Sequence, residues 1–280
     1  MAEPNSSPTN LASRRITLSL NKNAWDHRAE TGDRYVDTAT ADELAQPLRF
    51  ADPFGWLKGN VSDMRILCLA AGGGRHGPLF AKAGANVSVV DISESMLALD
   101  KGLAQKLNLK IECIQAPMDE LPERLRQNNF DAVFHPVSTC YTPHVETVFQ
   151  QVHETLKPGG LYLSFHKQPV ALQTRMKQGA LALETPYYSE DVLPPETPEA
   201  LHRESGTQEF LHRWESLLGG ICQAGFSIED FVVPNHARDN QPVGSFGWRA
   251  QLAPPFFGVK ARKTDFSERS TDRKRLLITA

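Results

Sequence analysis

The stretch Ile66-Leu-Cys-Leu-Ala-Ala-Gly-Gly-Gly-Arg-His76 decides the fold of this chain. Apolar residues up to Leu69 predict a buried strand, and the glycines after it predict a tight turn into a helix. A second apolar run, Val87-Ser-Val-Val-Asp91, ends in a carboxylate. A strand, a glycine turn and an acid at the end of the next strand form half of a nucleotide-type cofactor site, so this pattern favours an enzyme.

Composition limits the size and the partners of the protein. The chain has 280 residues, 40% of them hydrophobic, which is enough for one α/β core with a modest accessory region. Its formal net charge of -3 comes without a basic block, so neither nucleic acid nor an anionic membrane is an expected partner. No signal-peptide or membrane-spanning run is present in the sequence, and we expect a cytoplasmic protein.

Apolar segments alternate with helical patterns, which is typical of a parallel sheet covered on both faces. We predict a Rossmann-like, doubly wound α/β fold with a seven-stranded, mostly parallel sheet. The predicted strands are Arg65–Leu69, Asn86–Val90, Lys110–Gln115, Phe130–Phe134, Gly160–His166, Ser227–Val233 and Pro255–Ala261. The predicted core helices are Gly77–Ala83, Ser93–Leu107, Pro143–Leu156 and Gln208–Ala224, the last ending at a C-cap glycine, Gly225.

The remaining segments suggest a division of the chain. Residues 1–14 are polar and contain proline, which predicts a disordered leader. Residues 15–64 are expected to form an N-terminal helical cap, with an amphipathic helix over Lys22–Tyr35, and residues 65–263 the main domain. Within that domain, residues 167–207 are rich in proline and follow a strand end, which suggests a cover over the substrate. Residues 264–280 are charged and aperiodic, which predicts a mobile tail.

The glycine turn admits two cofactor interpretations. Gly72, Gly74 and Gly77 match the spacing G-x-G-x-x-G, and Asp91 follows at the end of the next strand. This is the fingerprint of dinucleotide-binding oxidoreductases, in which the acid binds ribose hydroxyls. A tight connection between strand and helix would need the same small residues, so the motif alone does not identify the ligand.

Downstream motifs distinguish these interpretations. Gln115-Ala-Pro-Met-Asp-Glu-Leu-Pro122, Phe130-Asp-Ala-Val133 and Leu156-Lys-Pro-Gly-Gly160 follow in that order. In these motifs the chain resembles the class I S-adenosylmethionine-dependent methyltransferases, particularly the small-molecule enzymes. The resemblance covers about Met64 to Phe165 and implies S-adenosylmethionine as cofactor and a small-molecule methyl acceptor as substrate.

The resemblance also implies which residues bind the cofactor. Ala70, Ala71, Gly72 and Gly74 would contact its methionine part, and Asp91 both ribose hydroxyls. The residues implied around the adenine and beside the reactive methyl are Ile92, Pro117, Met118, Asp119 and Pro136.

The chain departs from the family pattern at two positions. Cys68 stands where the family usually has an acid that helps to order the amino-acid end of the cofactor, and Ala70 stands in place of a glycine. These departures leave a non-catalytic S-adenosylmethionine-binding protein as one alternative function, and the G-x-G-x-x-G spacing leaves an NAD(P)-dependent oxidoreductase as another.

Methyl transfer depends mainly on alignment and exclusion of water, and a base is needed only when the acceptor arrives protonated. The candidate catalytic residues are His135 and Tyr141, which follow the fourth strand; His144 and His166 lie nearby, and packing is the better interpretation of His144. Tyr187 and Tyr188 are candidate substrate-binding residues, with packing onto the core as the equal alternative. No metal-ligand spacing is present, so we expect no metal, and the sequence leaves the acceptor and the oligomeric state open.

Overall fold

The computed structural model describes residues 8–33, 35–195 and 203–264 of the chain. Its central feature is a seven-stranded sheet, and two further strands pair as a separate hairpin. The strands are β1 (Arg65–Leu69), β2 (Asn86–Asp91), β3 (Ile111–Gln115), β4 (Phe130–His135), β5 (Leu156–Lys167), β6 (Thr174–Lys177), β7 (Ala180–Leu183), β8 (Phe226–Val232) and β9 (Phe256–Lys263).

The strand order of the main sheet is β3-β2-β1-β4-β5-β9-β8. The first five strands are parallel, whereas β9 runs antiparallel to both β5 and β8. The order reverses between β1 and β4, and in such sheets ligands bind beyond the carboxyl ends of the strands at this point. The predicted doubly wound, mostly parallel α/β sheet is therefore confirmed.

Helices cover both faces of the sheet and precede it. They are α1 (Pro8–Thr31), α2 (Ala41–Ala45), α3 (Pro47–Ala51), α4 (His76–Lys82), α5 (Glu94–Lys106), α6 (Val145–Thr155), α7 (Pro169–Gln173), α8 (Gly220–Ala224) and α9 (Phe246–Leu252). A π-helical turn, Glu215–Gly219, leads into α8, and Gly225 caps that helix in the left-handed conformation, as predicted. Among the helices described, none is long and apolar enough to cross a membrane.

Alternate residues of β1 enter two different cores because successive side chains of a strand point to opposite faces. Leu67 and Leu69 pack in the cluster that α6 and α8 complete. Ile66 and Cys68 pack in the cluster on the other face, which contains residues of α4. All four side chains are fully buried, which explains why the strand reads as a continuous apolar run.

The first helix is longer than the sequence suggested. It begins at Pro8, not at Lys22, so residues 8–14 of the predicted disordered leader are helical. Its buried positions include polar Thr17 and Asn21, whereas Ile16 is 58% exposed. The inward face is therefore not apolar, and a search for an apolar stripe does not find this helix. Residues 1–7 lie outside the described part of the chain, as does the predicted tail from residue 265.

Two further predictions need correction. The helix predicted over Gln208–Ala224 starts only near Glu215, because residues 209 and 210 are held in an extended segment. The backbone N–H of Phe210 donates to Cys140 O (2.8 Å), and the N–H of Leu193 donates to Glu209 O (2.8 Å). The predicted cover over 167–207 contains α7 and the hairpin of β6 and β7, neither of which was predicted.

Two glycines provide a matched test of this packing. A Cβ at Gly77 would lie 2.6 Å from Val89 Cγ2 and 2.9 Å from Asp100 Oδ1, whereas a Cβ at Gly102 would enter open space. We expect Gly77→Ala to lower the free energy of unfolding by about 1–3 kcal/mol through overpacking. Gly102→Ala should raise it by about 0.5–1 kcal/mol, because alanine favours a helix. Chemical denaturation measures both; equal effects would contradict the tight contact of α4 with β2.

Candidate active site

A cavity of about 630 Å³ lies beyond the carboxyl ends of β1, β2 and β4. Its volume falls within the range of small-molecule and cofactor sites, about 300–1,000 Å³. Nine of the ten predicted cofactor-binding residues line it: Ala70, Ala71, Gly72, Asp91, Ile92, Pro117, Met118, Asp119 and Pro136. The fold therefore brings four segments that are distant in sequence, those after β1, β2, β3 and β4, to one site.

The turn after β1 approaches the cavity with its backbone. Ala70 has a φ of 46°, and the backbone N–H of Gly72 donates to Asp91 Oδ2 (2.9 Å). A Cβ at Gly72 would lie 2.8 Å from Met96 Cβ and 3.0 Å from that carboxylate oxygen. Only glycine allows this close approach of the turn to β2.

Asp91 presents a buried carboxylate at the end of β2. Its second oxygen, Oδ1, accepts a hydrogen bond from the backbone N–H of Ser93 (2.9 Å). Burial raises the pKa of this carboxyl to about 6, although the backbone N–H groups of Ser93, Gly72 and Ile92 act against the shift. The group is thus ionised at neutral pH and faces the cavity, where a ligand hydroxyl could donate to it.

Asp100 of α5 supports the glycine turn from behind, and the sequence analysis did not find it. Its Oδ2 accepts hydrogen bonds from the backbone N–H groups of Gly73 (2.9 Å) and Gly74 (3.0 Å). The side chain is fully buried, and burial raises its pKa to about 7. A signal existed, because Asp100 stands between Met96 and Ala104 at four-residue spacing on the buried face of α5.

Gly74 is the one predicted cofactor-binding residue that does not line the cavity. A Cβ there would lie 2.8 Å from Thr38 Cγ2 and 3.1 Å from the backbone oxygen of Leu99. Its N–H is taken by Asp100, and its carbonyl accepts from the N–H of Ala39 (2.9 Å). Gly74 therefore packs the turn against α5 and the N-terminal segment.

Helix α1 forms the roof of the cavity, with Leu18, Asn21 and Trp25 in its lining. Near its start, Arg14 forms an ion pair with Asp119 (2.8 Å). Directly after Trp25, Asp26 accepts a hydrogen bond from the hydroxyl of Ser93 (2.6 Å). The roof is thus attached to the loops after β3 and β2, which carry predicted cofactor-binding residues.

His135, a predicted catalytic residue, does not reach the cavity. It is fully buried, and its ring nitrogens share hydrogen bonds with Tyr162 Oη (Nδ1, 2.8 Å) and Ser138 Oγ (Nε2, 2.6 Å). Burial lowers its pKa to about 3, so the ring stays neutral. His135 therefore lies behind the cavity wall and contacts Ser138, which lines the cavity together with Pro136; its catalytic role stays a prediction.

Tyr141, the other predicted catalytic residue, does line the cavity. Its ring contacts Trp25 edge to face, with centroids 5.8 Å apart. Its hydroxyl donates to Glu204 Oε2 (2.6 Å), and Glu204 also belongs to the lining. Glu204 is the single cavity-lining residue that the described part of the predicted cover, 167–207, contributes.

Tyr187 and Tyr188 do not line the cavity, and their role in substrate binding stays a prediction. Tyr187 Oη accepts a hydrogen bond from the backbone N–H of Trp214 (3.1 Å). Tyr188 is 76% exposed and packs beside the guanidinium of Arg213 (5.6 Å). Both tyrosines thus contact residues just before the π-helical turn. These contacts agree with the alternative prediction, in which the two tyrosines pack their loop onto the core.

Two more residues of the lining follow the glycine turn. Arg75 forms an ion pair with Glu43 of α2, which fixes α2 beside the turn. The His76 ring packs on Phe134 with centroids 4.6 Å apart, and burial lowers its pKa to about 4. A neutral imidazole and a paired guanidinium thus border the end of the cavity beside the turn.

Comparison with known proteins agrees with this geometry. A family model described as a methyltransferase domain matches residues 67–164, which run from β1 into β5. An uncharacterised methyltransferase of Bacillus subtilis, YbaJ, is 30% identical over 230 residues, which cover 76% of this chain and 89% of that protein. The sterol 24-C-methyltransferase of Saccharomyces cerevisiae is 31% identical over 99 residues, which cover 34% of this chain and 26% of that enzyme.

Solved structures share the fold. A methyltransferase structure from Listeria monocytogenes superposes with a TM-score of 0.61 at 16% identity, covering 79% of this chain and all of that one. One from Mesorhizobium loti gives a TM-score of 0.58 at 24% identity over 76% of this chain and 98% of that one. With the near-complete match to the Bacillus protein, the motifs and the topology show that the chain belongs to the class I S-adenosylmethionine-dependent methyltransferase family.

Proposed function

We propose that this protein binds S-adenosylmethionine in the cavity and transfers its methyl group to a small-molecule acceptor. The observation that carries the proposal is the position of Asp91, whose ionised carboxylate ends β2 inside a cavity bordered by a backbone turn. The loop after β3 lines the same cavity with Pro117 and Met118, which offer apolar surface to an adenine ring. Bound S-adenosylmethionine would supply an electrophilic methyl group on a positively charged sulfur.

The residues of this chain would contribute mainly binding and shielding. Asp91 would accept hydrogen bonds from ribose hydroxyls, because its carboxylate is buried and has few other donors to compensate its charge. Trp25 and Leu18 of the roof would keep water from the reacting groups. Methyl transfer is an in-line displacement that gains much of its rate from alignment, so this arrangement suits the reaction without a base.

We infer that Asp100 compensates for the missing acid of β1. Cys68 occupies the strand position where the family usually has a carboxylate, and the charge of Asp100 is near enough to contribute to the raised pKa of the Cys68 thiol. Asp100 holds the glycine turn through the N–H groups of Gly73 and Gly74. The carboxylate of Asp100, on α5, would thus order the glycine turn in place of the β1 carboxylate that the family usually has.

Calorimetry with S-adenosylhomocysteine tests the cofactor site. We expect the ligand to bind and to raise the melting temperature, whereas NAD should do neither. Asp91→Ala should weaken binding by about 1–3 kcal/mol through loss of the charged hydrogen-bond acceptor. Unchanged affinity in this variant would remove Asp91 from the site, and binding of NAD alone would favour the oxidoreductase alternative.

The pH dependence of the same titration gives a second prediction. Because burial raises the pKa of Asp91 to about 6 and ribose hydroxyls donate to the ionised form, affinity should fall as the pH drops below about 6. The fall approaches about tenfold per pH unit for a single proton. Unfolding free energy should respond in the opposite direction, since a carboxyl with a raised folded-state pKa stabilises the fold as pH falls through that value. Asp91→Asn is the control and should give a flatter affinity profile.

The compensation by Asp100 is tested with substitutions at Cys68. Cys68→Asp would add a second buried carboxylate near Asp100, so it should lower the melting temperature and weaken S-adenosylhomocysteine binding. Cys68→Asn has the same shape without the charge and serves as the control. Adding Asp100→Ala to Cys68→Asp should restore part of both losses, with a coupling energy of about 0.5–3 kcal/mol. A stable Cys68→Asp variant that binds more tightly than Cys68→Asn would contradict the compensation.

A further inference from the structure

One wall of the cavity belongs to none of the cofactor motifs. It contains Tyr141, which follows β4, and Glu204, which the chain brings in from far along the sequence. The Tyr141 hydroxyl donates to Glu204 Oε2 (2.6 Å). The hydroxyl and the carboxylate therefore act as one polar unit at the edge of the cavity.

A buried lysine controls the charge of this unit. Lys167, at the end of β5, has a side chain that is 1% exposed, and its Nζ donates to Glu204 Oε2 (2.5 Å) and to Glu209 Oε2 (3.0 Å). Burial acts to raise the pKa of Glu204, but the charge and hydrogen bond of Lys167 bring it below its usual value. Glu204 is thus ionised at neutral pH.

The Glu204 carboxylate has room for another donor. Its hydrogen bonds to Tyr141 and Lys167 both end on Oε2, and among the described residues none donates to Oε1. Tyr141 keeps its own proton, because burial and the charge of Glu204 raise the pKa of the phenol well above its ordinary value. The phenol oxygen can still accept a hydrogen bond, so both groups offer acceptors to a ligand.

The rest of this wall is largely apolar. The lining also contains apolar side chains: Trp25 of the roof, which contacts Tyr141, and with it Leu18, Val137 after β4 and Phe256 at the start of β9. In such surroundings an ionised carboxylate binds a hydrogen-bond donor much more strongly than water allows, and it repels an anion. We therefore expect the apolar side chains to favour an apolar ligand and the Glu204 carboxylate to favour one that donates a hydrogen bond and carries no negative charge.

We propose that Tyr141 and Glu204 form the acceptor-recognition subsite, which takes the hydroxyl or amine group of an otherwise apolar small molecule. The proposal rests on the proposed function and narrows its substrate class. The two residues orient the acceptor through hydrogen bonds, and where the group they hold is the one that is methylated, the Glu204 carboxylate takes the proton that the transfer releases. Acceptors that carry a carboxylate at this position are excluded.

Glu209 provides a matched control. Like Glu204, it is buried and bonds to Lys167, but it does not line the cavity and it also faces Arg203 (Nε to Oε2, 3.4 Å). Glu204→Gln and Glu209→Gln therefore each remove one of the two ion pairs of Lys167, with the same change of charge. Only Glu204 lines the cavity, whereas Glu209 contacts Glu204 from behind by accepting a hydrogen bond from the backbone N–H of Glu204 (3.3 Å).

The experiment compares 4-propylphenol, 4-propylanisole and 4-propylbenzoate in calorimetric titrations, with and without saturating S-adenosylhomocysteine. In the wild-type protein we expect the phenol to bind at least about tenfold more tightly than the anisole, which corresponds to a hydrogen bond to a charged acceptor. Glu204→Gln should reduce this ratio below about threefold and should strengthen binding of the benzoate. Glu209→Gln should retain the wild-type ratio, and Tyr141→Phe should reduce it in part.

Strengthened benzoate binding is an effect that misfolding does not produce, so it supports the proposal even if Glu204→Gln is less stable. Equal binding of phenol and anisole, absence of saturable binding of either, or equal loss of the ratio in both glutamate variants would overturn it. Failure of the wild-type protein to bind S-adenosylhomocysteine would instead contradict the proposed function. The phenol-to-anisole affinity ratio measured without S-adenosylhomocysteine tests the Tyr141–Glu204 subsite alone, so failure of the subsite and failure of the cofactor site can be told apart.

Discussion

The site depends on two buried carboxylates that hold one backbone turn. Asp91 accepts the N–H of Gly72, and Asp100 accepts those of Gly73 and Gly74. Burying two acids close together is costly, as their raised pKa values show, and the charge of Asp91 contributes to the shift at Asp100. Three donors of the turn offset part of that cost. The turn consequently keeps its shape without a side chain of its own, which leaves its cavity side open to a ligand.

Much of this could be predicted from the sequence because it is local. The predicted bounds of six strands lie within two residues of those observed, whereas β5 begins at Leu156 and not at Gly160, and the predicted cofactor-binding residues follow the ends of β1, β2, β3 and β4. Gly74 marks the limit of that reasoning. Its spacing matches the G-x-G-x-x-G motif, but Thr38 and Leu99 of α5 are packed against it, and the motif spacing does not predict those contacts. Asp100 was within reach, since a charged residue on the apolar face of a helix needs a partner.

The rest of the site arises from contacts between distant parts of the chain. The roof helix α1 is held by polar pairs such as Arg14 with Asp119, so its inward face lacks the apolar stripe that marks a packed helix. Glu204 reaches the cavity from an irregular segment with no motif. His135 stands in the expected place after β4, but Tyr162 and Ser138 enclose its ring, and no local pattern predicts such hydrogen bonds.

The ion pairs around Lys167 are difficult to explain by stability alone. Replacing a buried ion pair with well-packed apolar residues is often neutral or stabilising, because the attraction scarcely repays the desolvation of both charges. Glu209 and Lys167 are sealed from solvent, yet the cluster ends in Glu204 at the edge of the cavity. Lys167 keeps that carboxylate ionised, and Tyr141 fixes its direction. The buried cluster therefore costs stability but holds one oriented negative charge at a largely apolar wall of the cavity. A charge in that position can discriminate between ligands that donate a hydrogen bond and ligands that carry a negative charge.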